Sequence, residues 1–478
     1  MKKMNLLVMS LVSAAALSFT SCSSNDDLDD NKAGQAKVDQ FYMTLTVETP
    51  NASGTRTVQS NEYNASEAES KITSGTFFLM DSKNKIVFHK KFENLEWDKK
   101  GETKLEIPVE AVVAGAEYKV YFLANADSED PLNSTFSTTA TTDNKFVGDY
   151  AKANNFAMFN QNDTQVAGNG YTVTFIKANN NEANPAKVKY NGAVSPIKVE
   201  RVVARIDAPT STSAISTDDP AGASEALKVA LKDAREKVAS FELTNYAISN
   251  LANKSYVMQT WNSSALVIPS DKEGFSYYQP KAAFGGDYDY KNGGFTTTAT
   301  DVNYVFENNS TENPTSMYFE YKVTLKDYSD ADFKADDKNA GTFYRYNNVI
   351  YTSFAQIFKD YADVANLFGE GMDADKMKNK LISVIDDEDK LAVFRKDYKI
   401  EVFKGGKTYY KQVIKDNYIG YDNAIQRNSI YRLKVNNIFN VGAQVPNGKP
   451  TEENKFYYLD VEVSVNPWVL NNQDVDLQ

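Results

Sequence analysis

One cysteine and one histidine serve all 478 residues. With Cys22 alone, the chain can form no internal disulfide, so its stability has to come from core burial. His89 alone excludes a His-Glu-x-x-His zinc site and argues against a Ser-His-Asp site. It lies between Phe88 and Lys90 in a predicted strand, where a surface residue is expected. Basic residues are outnumbered, 52 Lys and Arg against 64 Asp and Glu, for a net charge of −12. That balance speaks against nucleic acid as a partner and suits a soluble, surface-exposed protein. A phosphate loop is also missing. Gly406-Lys407-Thr408 has the right ending, but the required first glycine falls on Glu401. Asp386, Asp387, Glu388 and Asp389 lack the spacing and central glycine of a calcium loop and read as a solvated helix junction. Neither metal, cofactor nor enzymatic activity is expected.

The one long apolar run sits at the start. Lys2 and Lys3 precede an apolar stretch over residues 6–19, and small residues then lead to Cys22. Too short and wrongly flanked for a membrane span, residues 1–21 read as a signal peptide. F-T-S before Cys22 looks like the lipobox of a bacterial lipoprotein, with Phe a looser match than the usual Leu. The alternative is an ordinary signal peptide with a chance cysteine. An acyl (palmitate) chain on Cys22 would tether the precursor to a membrane. The acidic run Asp26, Asp27, Asp29 and Asp30 after it is flexible by composition.

Residues 38–48 read V-D-Q-F-Y-M-T-L-T-V-E, with Phe41, Met43, Leu45 and Val47 at every second position. Period two marks a strand with one buried face, and Pro50 ends it. A polar, small-residue loop follows, and Arg56 is its only basic residue. Exposed loops are where proteases cut, so a trypsin-like enzyme would have one address here, between Arg56 and Thr57. An ordinary surface arginine is the alternative. Removing the strand would leave an apolar groove and unpaired sheet edges that another strand would have to fill.

The far end supplies a strand of the same kind. Tyr457, Leu459, Val461, Val463 and Val465 alternate with Asp460, Glu462, Ser464 and Asn466. After Pro467 the phase flips to Trp468, Val469 and Leu470, and Val475 and Leu477 keep apolar character near the end. Between the two ends, many short alternating segments separated by turn signals indicate β-sandwiches. Segments 76–80 and 85–90 flank a D-S-K-N turn as a hairpin, and Gly405-Gly406 is read as a two-residue hairpin turn. The strand over 197–206 shifts phase at Val202 and Val203, which predicts a bulge or a crossing between sheets. Residues 209–224 are poor in bulky apolar side chains and form the expected domain boundary. Helices are predicted over 225–238, with Ser224 as N-cap, and over 354–368 and 375–394 as an insertion. With 29 Tyr and 27 Phe, a glycan platform is conceivable, although strand tyrosines more often pack with a wet hydroxyl.

V-E-R-V-V-A-R-I-D at 199–207, T-Y-Y at 408–410, R-N-S-I-Y-R-L-K-V-N at 427–436 and V-N-P-W-V-L-N-N-Q-D-V-D-L at 465–477 carry a resemblance. With the lipobox and the loop arginine, they resemble the type V fimbrial subunits of Bacteroidia, the fimbrillins, and most closely the minor-fimbrium major-subunit branch. The resemblance is specific in the C-terminal third and loose over 250–393. It implies a mainly β protein of two tandem transthyretin-like sandwiches, with a few short helices inserted in the second. Its parts would be a signal peptide (1–21), a lipidated propeptide with the excisable strand (22–56), an N-terminal domain (57–208), a linker (209–224) and a C-terminal domain with a terminal donor strand (225–478).

By the same resemblance Cys22 is lipidated and an arginine-specific surface protease cuts at Arg56–Thr57. The strand bearing Phe41, Met43, Leu45 and Val47 is lost. A neighbour's strand, from Val461, Val463, Val465, Trp468, Val469, Leu470, Val475 and Leu477, takes its place. Expected partners are copies of the chain, tip and anchor subunits, the protease and, through the lipid, the outer membrane. The expected location is a cell-surface fimbrium supporting adhesion. The alternatives are a tip or anchor subunit of the same fimbria, or a glycan-binding surface lipoprotein that never polymerises.

Overall fold

The computed structural model describes residues 40–48, 63–64, 66–95, 103–138, 150–161, 170–262, 265–269, 274–278, 302–414, 416, 425–446, 459–469 and 474–475. Cys22, Arg56, Thr57, Leu470 and Leu477 lie outside the described residues. Within them the protein is mainly β, as its short alternating segments predict.

The first half is organised around Glu117–Ala124, whose Y-K-V-Y-F-L-A is buried almost throughout. Antiparallel partners flank it: Ser74–Met80 lines one edge, and Tyr171–Thr174 and Met158–Asn160 share the other. The predicted hairpin joins Ser74–Met80 to Ile86–Glu93. Its turn is closed by Asp81, whose Oδ1 accepts from the N–H groups of Lys83 and Lys85, and Asn84 takes the left-handed conformation. His89 lies exposed on the second strand of that hairpin. Beyond Met158–Asn160 the sheet continues through Ile197–Arg201. A smaller sheet of Ala186–Lys187, Gln40–Leu45 and Thr103–Pro108 contributes to the same core.

At Val202 and Val203 the chain leaves the first sheet, and Ala204–Asp207 enters another. The phase shift there is therefore a crossing between sheets. The second sheet runs Val302–Val305, Ala204–Asp207, Ser429–Ile438, Leu459–Val469 and Tyr63–Asn64. A separate three-stranded sheet joins Val238–Ser249, Ser316–Leu325 and Lys407–Val413. One apolar cluster takes in residues from Phe41 to Val441, on both sides of segment 209–224. In that segment Thr210–Ser211 runs parallel to Ser429–Ile438, and Ser224 caps the helix Glu225–Lys237 by accepting from Leu227 N–H.

The predicted insertion has its own core, including Phe333, Tyr344, Phe354, Leu381 and Leu391. Its helices are shorter than their apolar spacing predicts. The first is Phe354–Asp360, and the expected single helix over 375–394 is two, Ala374–Val384 and Glu388–Tyr398. The break falls at Asp387, whose Oδ1 accepts from the N–H groups of Asp389 and Lys390, so a cap side chain overrides continuous periodicity. The acidic cluster sits at this junction. The Gly405-Gly406 hairpin is not formed. Glu401–Phe403 pairs with Phe343–Tyr346, while Lys407–Val413 pairs with Ser316–Leu325. Both glycines have positive φ, and a Cβ on Gly406 would lie 2.9 Å from the Val323 carbonyl oxygen. The pair is needed for a step between sheets rather than a reversal.

Candidate functional site

Phe41, Met43, Leu45 and Val47 all face the core. Phe41 is 5% exposed and the other three are 0% exposed. The Phe41 and Phe175 rings lie 5.5 Å apart, and Met43 and Phe41 stand opposite Leu105 and Ile107 in the antiparallel ladder. Burial of four such side chains is worth ~1.5–3 kcal/mol each, or ~6–12 kcal/mol together. That rivals the whole net stability of a domain, about 5–15 kcal/mol.

The strand is also central. Gln40–Leu45 runs antiparallel to Thr103–Pro108 along its full length and parallel to Ala186–Lys187 on its other edge. At Thr46, whose carbonyl accepts from Ile197 N–H at 2.9 Å, the segment changes sheet. Val47–Glu48 then lies parallel to Ile197–Arg201 and antiparallel to Asp474–Val475. One nine-residue segment, 40–48, thus plugs two sheets. Thr44 is buried, and its hydroxyl has no hydrogen-bond partner among the described residues.

The residues expected to donate a strand fall into two groups. Val461, Val463, Val465, Trp468 and Val469 belong to Leu459–Val469, laddered antiparallel to Ser429–Ile438 of the same chain. Val475 stands opposite Val47, against the very segment expected to be lost. Leu470 and Leu477 are outside the described residues, as are Cys22, Arg56 and Thr57.

Downstream of Arg56, the chain is tied down by a polar cluster that no periodicity announces. Ser66 opens the short helix Glu67–Ser70, and the Glu69 carboxylate accepts from Ser66 N–H at 2.9 Å. The same carboxylate accepts from Arg205 Nη1 at 2.8 Å and from the Tyr304 hydroxyl at 2.9 Å. Arg201, fully buried, donates from Nε to the Glu69 carbonyl at 2.7 Å and from Nη1 to Asn428 Oδ1 at 3.1 Å. Asp207 accepts from Arg205 and Arg432. Burial alone would raise the Glu69 pKa. The Ser66 N–H, Arg205, the Tyr304 hydroxyl and Arg201 outweigh it and hold the carboxyl below its usual 4.5. Burial pushes Arg201 down to about 9, still protonated at neutral pH. The visible signals were S-E-A-E over 66–69, a capping box, and two arginines four apart on either side of Val202 and Val203.

Among the described residues no His, Cys, Asp or Glu cluster is placed to hold a metal ion, and no helix is long and apolar enough to cross a membrane. Residues 42–201 match the family described as Major fimbrial subunit protein (FimA). Residues 401–474 match Major fimbrial subunit protein type IV, Fimbrillin, C-terminal. The chain belongs to this fimbrial subunit family, the fimbrillins, whose members are structural rather than enzymatic and whose place is the cell-surface fimbria.

No curated protein matches the chain. Among solved structures it is similar to a fimbrilin (fimA) from Porphyromonas gingivalis W83, with 16% identity, 90% of this chain and 99% of that chain covered, and TM-score 0.39. It is also similar to the tip fimbrial protein Mfa3 from Porphyromonas gingivalis with C-terminal truncation, with 11% identity, 90% and 100% covered, and TM-score 0.35. A fimbrial assembly protein from Parabacteroides distasonis ATCC 8503 is similar at 13% identity, with 60% and 85% covered and TM-score 0.32.

Proposed function

We propose that this fimbrial subunit builds a shaft, of the minor-fimbrium major-subunit type, by strand exchange triggered by proteolysis. The observation that carries the reading is the placement of segment 40–48. Its apolar face is buried and both of its edges are paired in two sheets, yet it precedes segment 49–62, in which Arg56 is the only basic residue. A cut after Arg56 would detach the plug from the body. Its departure would expose an apolar groove with open edges on Thr103–Pro108 and Ile197–Arg201. A strand from a second copy would close that groove by β-augmentation, and head-to-tail repetition would give an open filament.

The least costly donor is the segment beyond Val469, because Leu459–Val469 already has a long ladder in its own subunit. Apolar Leu470, Val475 and Leu477 lie in that segment. In this reading Cys22 carries the lipid that holds the precursor at the outer membrane. An arginine-specific surface protease makes the cut, and tip and anchor subunits complete a fimbria that supports adhesion. The decisive experiment is Arg56→Ala. The variant should remain a folded monomer, whereas the parent, after protease, should run as a ladder on a denaturing gel and collapse to monomer on heating. Efficient polymer from the variant would overturn the cut as trigger.

A further inference from the structure

The C-terminal segment is gripped by strands on both sides of residues 49–62. Upstream of them, Val47–Glu48 pairs antiparallel with Asp474–Val475. Downstream, Tyr63–Asn64 pairs parallel with Trp468–Val469. These contacts differ in what holds them. Tyr63–Asn64 lies just before the helix Glu67–Ser70, and that helix is fastened through Glu69 to Arg201, Arg205 and Tyr304. Val47–Glu48 is continuous with the plug strand Gln40–Leu45.

We propose that the plug segment doubles as a clasp on the subunit's own C-terminal tail, so that one cut both vacates the acceptor groove and frees the donor. Cutting between 48 and 63 leaves Tyr63–Asn64 with the body, clamping the base of the tail at Trp468–Val469. Loss of Val47–Glu48 removes the strand paired with Asp474–Val475. The tail is then an arm with a fixed base and a free tip. An uncut subunit can neither accept a strand nor offer one. Linkage makes the contact reciprocal: whatever the plug adds to the tail's protection, the tail adds to the plug's retention. This inference rests on the strand-exchange reading and adds to it the control of the donor end.

The test is amide hydrogen exchange on the full chain, uncut and then cut after Arg56 with the N-terminal piece removed, at a dilution where light scattering reports monomer. Exchange at Val475, the tail residue in the hydrogen-bonded position opposite Val47, should rise at least tenfold on loss of residues 40–56, while exchange across 463–469 changes less than twofold. In the uncut chain, Val475→Pro, which deletes the tail N–H that faces Val47, should in return raise exchange at Val47. Equal protection of Val475 before and after the cut would overturn the clasp, even if polymer forms. A freed tail in a protein that never polymerises would uphold the clasp and count against strand exchange, so the two readings fail separately.

Discussion

Gln40–Leu45 and Leu459–Val469 are both one-faced strands by sequence, yet the fold holds them in opposite ways. The first has a partner on each edge, and its continuation Val47–Glu48 has two more in a second sheet. The second has one long ladder, to Ser429–Ile438; among the described residues its other edge is paired only at Tyr63–Asn64. In the proposed mechanism it is nevertheless the strand paired on both edges that is released, because segment 49–62 after it carries Arg56. A strand can be essential to the precursor and absent from the product only if something else takes its seat.

The comparison is broken or sharpened most strongly by cavity-forming substitutions. Leu45→Ala and Leu433→Ala should each cost the uncut chain ~2–5 kcal/mol in chemical denaturation, since both side chains are fully or almost fully buried. Only Leu45→Ala should also speed departure of the N-terminal piece after the cut, by roughly four-hundredfold at the middle of that range. Equal departure rates would mean that residue 45 is not in the seat.

A smaller effect should appear in acid. Because the folded Glu69 carboxyl titrates below 4.5, it adds stability above that value, and the contribution drains away as pH falls through the lower, folded value. Uncut protein should lose thermal stability in that window, and Glu69→Gln should flatten the pH dependence there. The substitution should cost ~1.5–3 kcal/mol at neutral pH, where charged hydrogen bonds to Arg205 and Tyr304 are lost. An unchanged acid limb in the variant would remove Glu69 from the anchor.

The smallest change concerns Thr44. Replacing its hydroxyl, unpartnered among the described residues, with a methyl group, Thr44→Val, should stabilise the uncut chain by about 1 kcal/mol and slow release of the plug about fivefold. If Thr44→Val destabilises instead, the hydroxyl has a partner and the plug's fit is tighter than its geometry indicates.

Much of this was legible because local rules and global packing agree. Alternation from Phe41 to Val47 named both the strand and its buried face. The doubled valines at 202–203 marked the change of sheet, and Ser224 marked a helix start. Where local signals misled, a tertiary contact had taken over. Gly405-Gly406 has the chemistry of a tight reversal, but the neighbouring segments find better partners in two different sheets. What stayed hidden has long reach. Glu69 meets Arg201 across 132 positions and Tyr304 across 235, and no pattern within a window of twenty residues can join them. The split of the terminal region into a laddered stem and a tail against Val47 depends on register, which alternation leaves open.

The continuous run from Ile197 to Asp207 has a mechanical corollary. Its first part is laddered into one sheet and its last part into another. In a filament under tension, a pull transmitted along this run loads both ladders lengthwise, so their bonds share the load in shear instead of opening one after another. Arg201, bonded to Asn428 near the crossover, adds a cross-tie at the point where bending stress would concentrate.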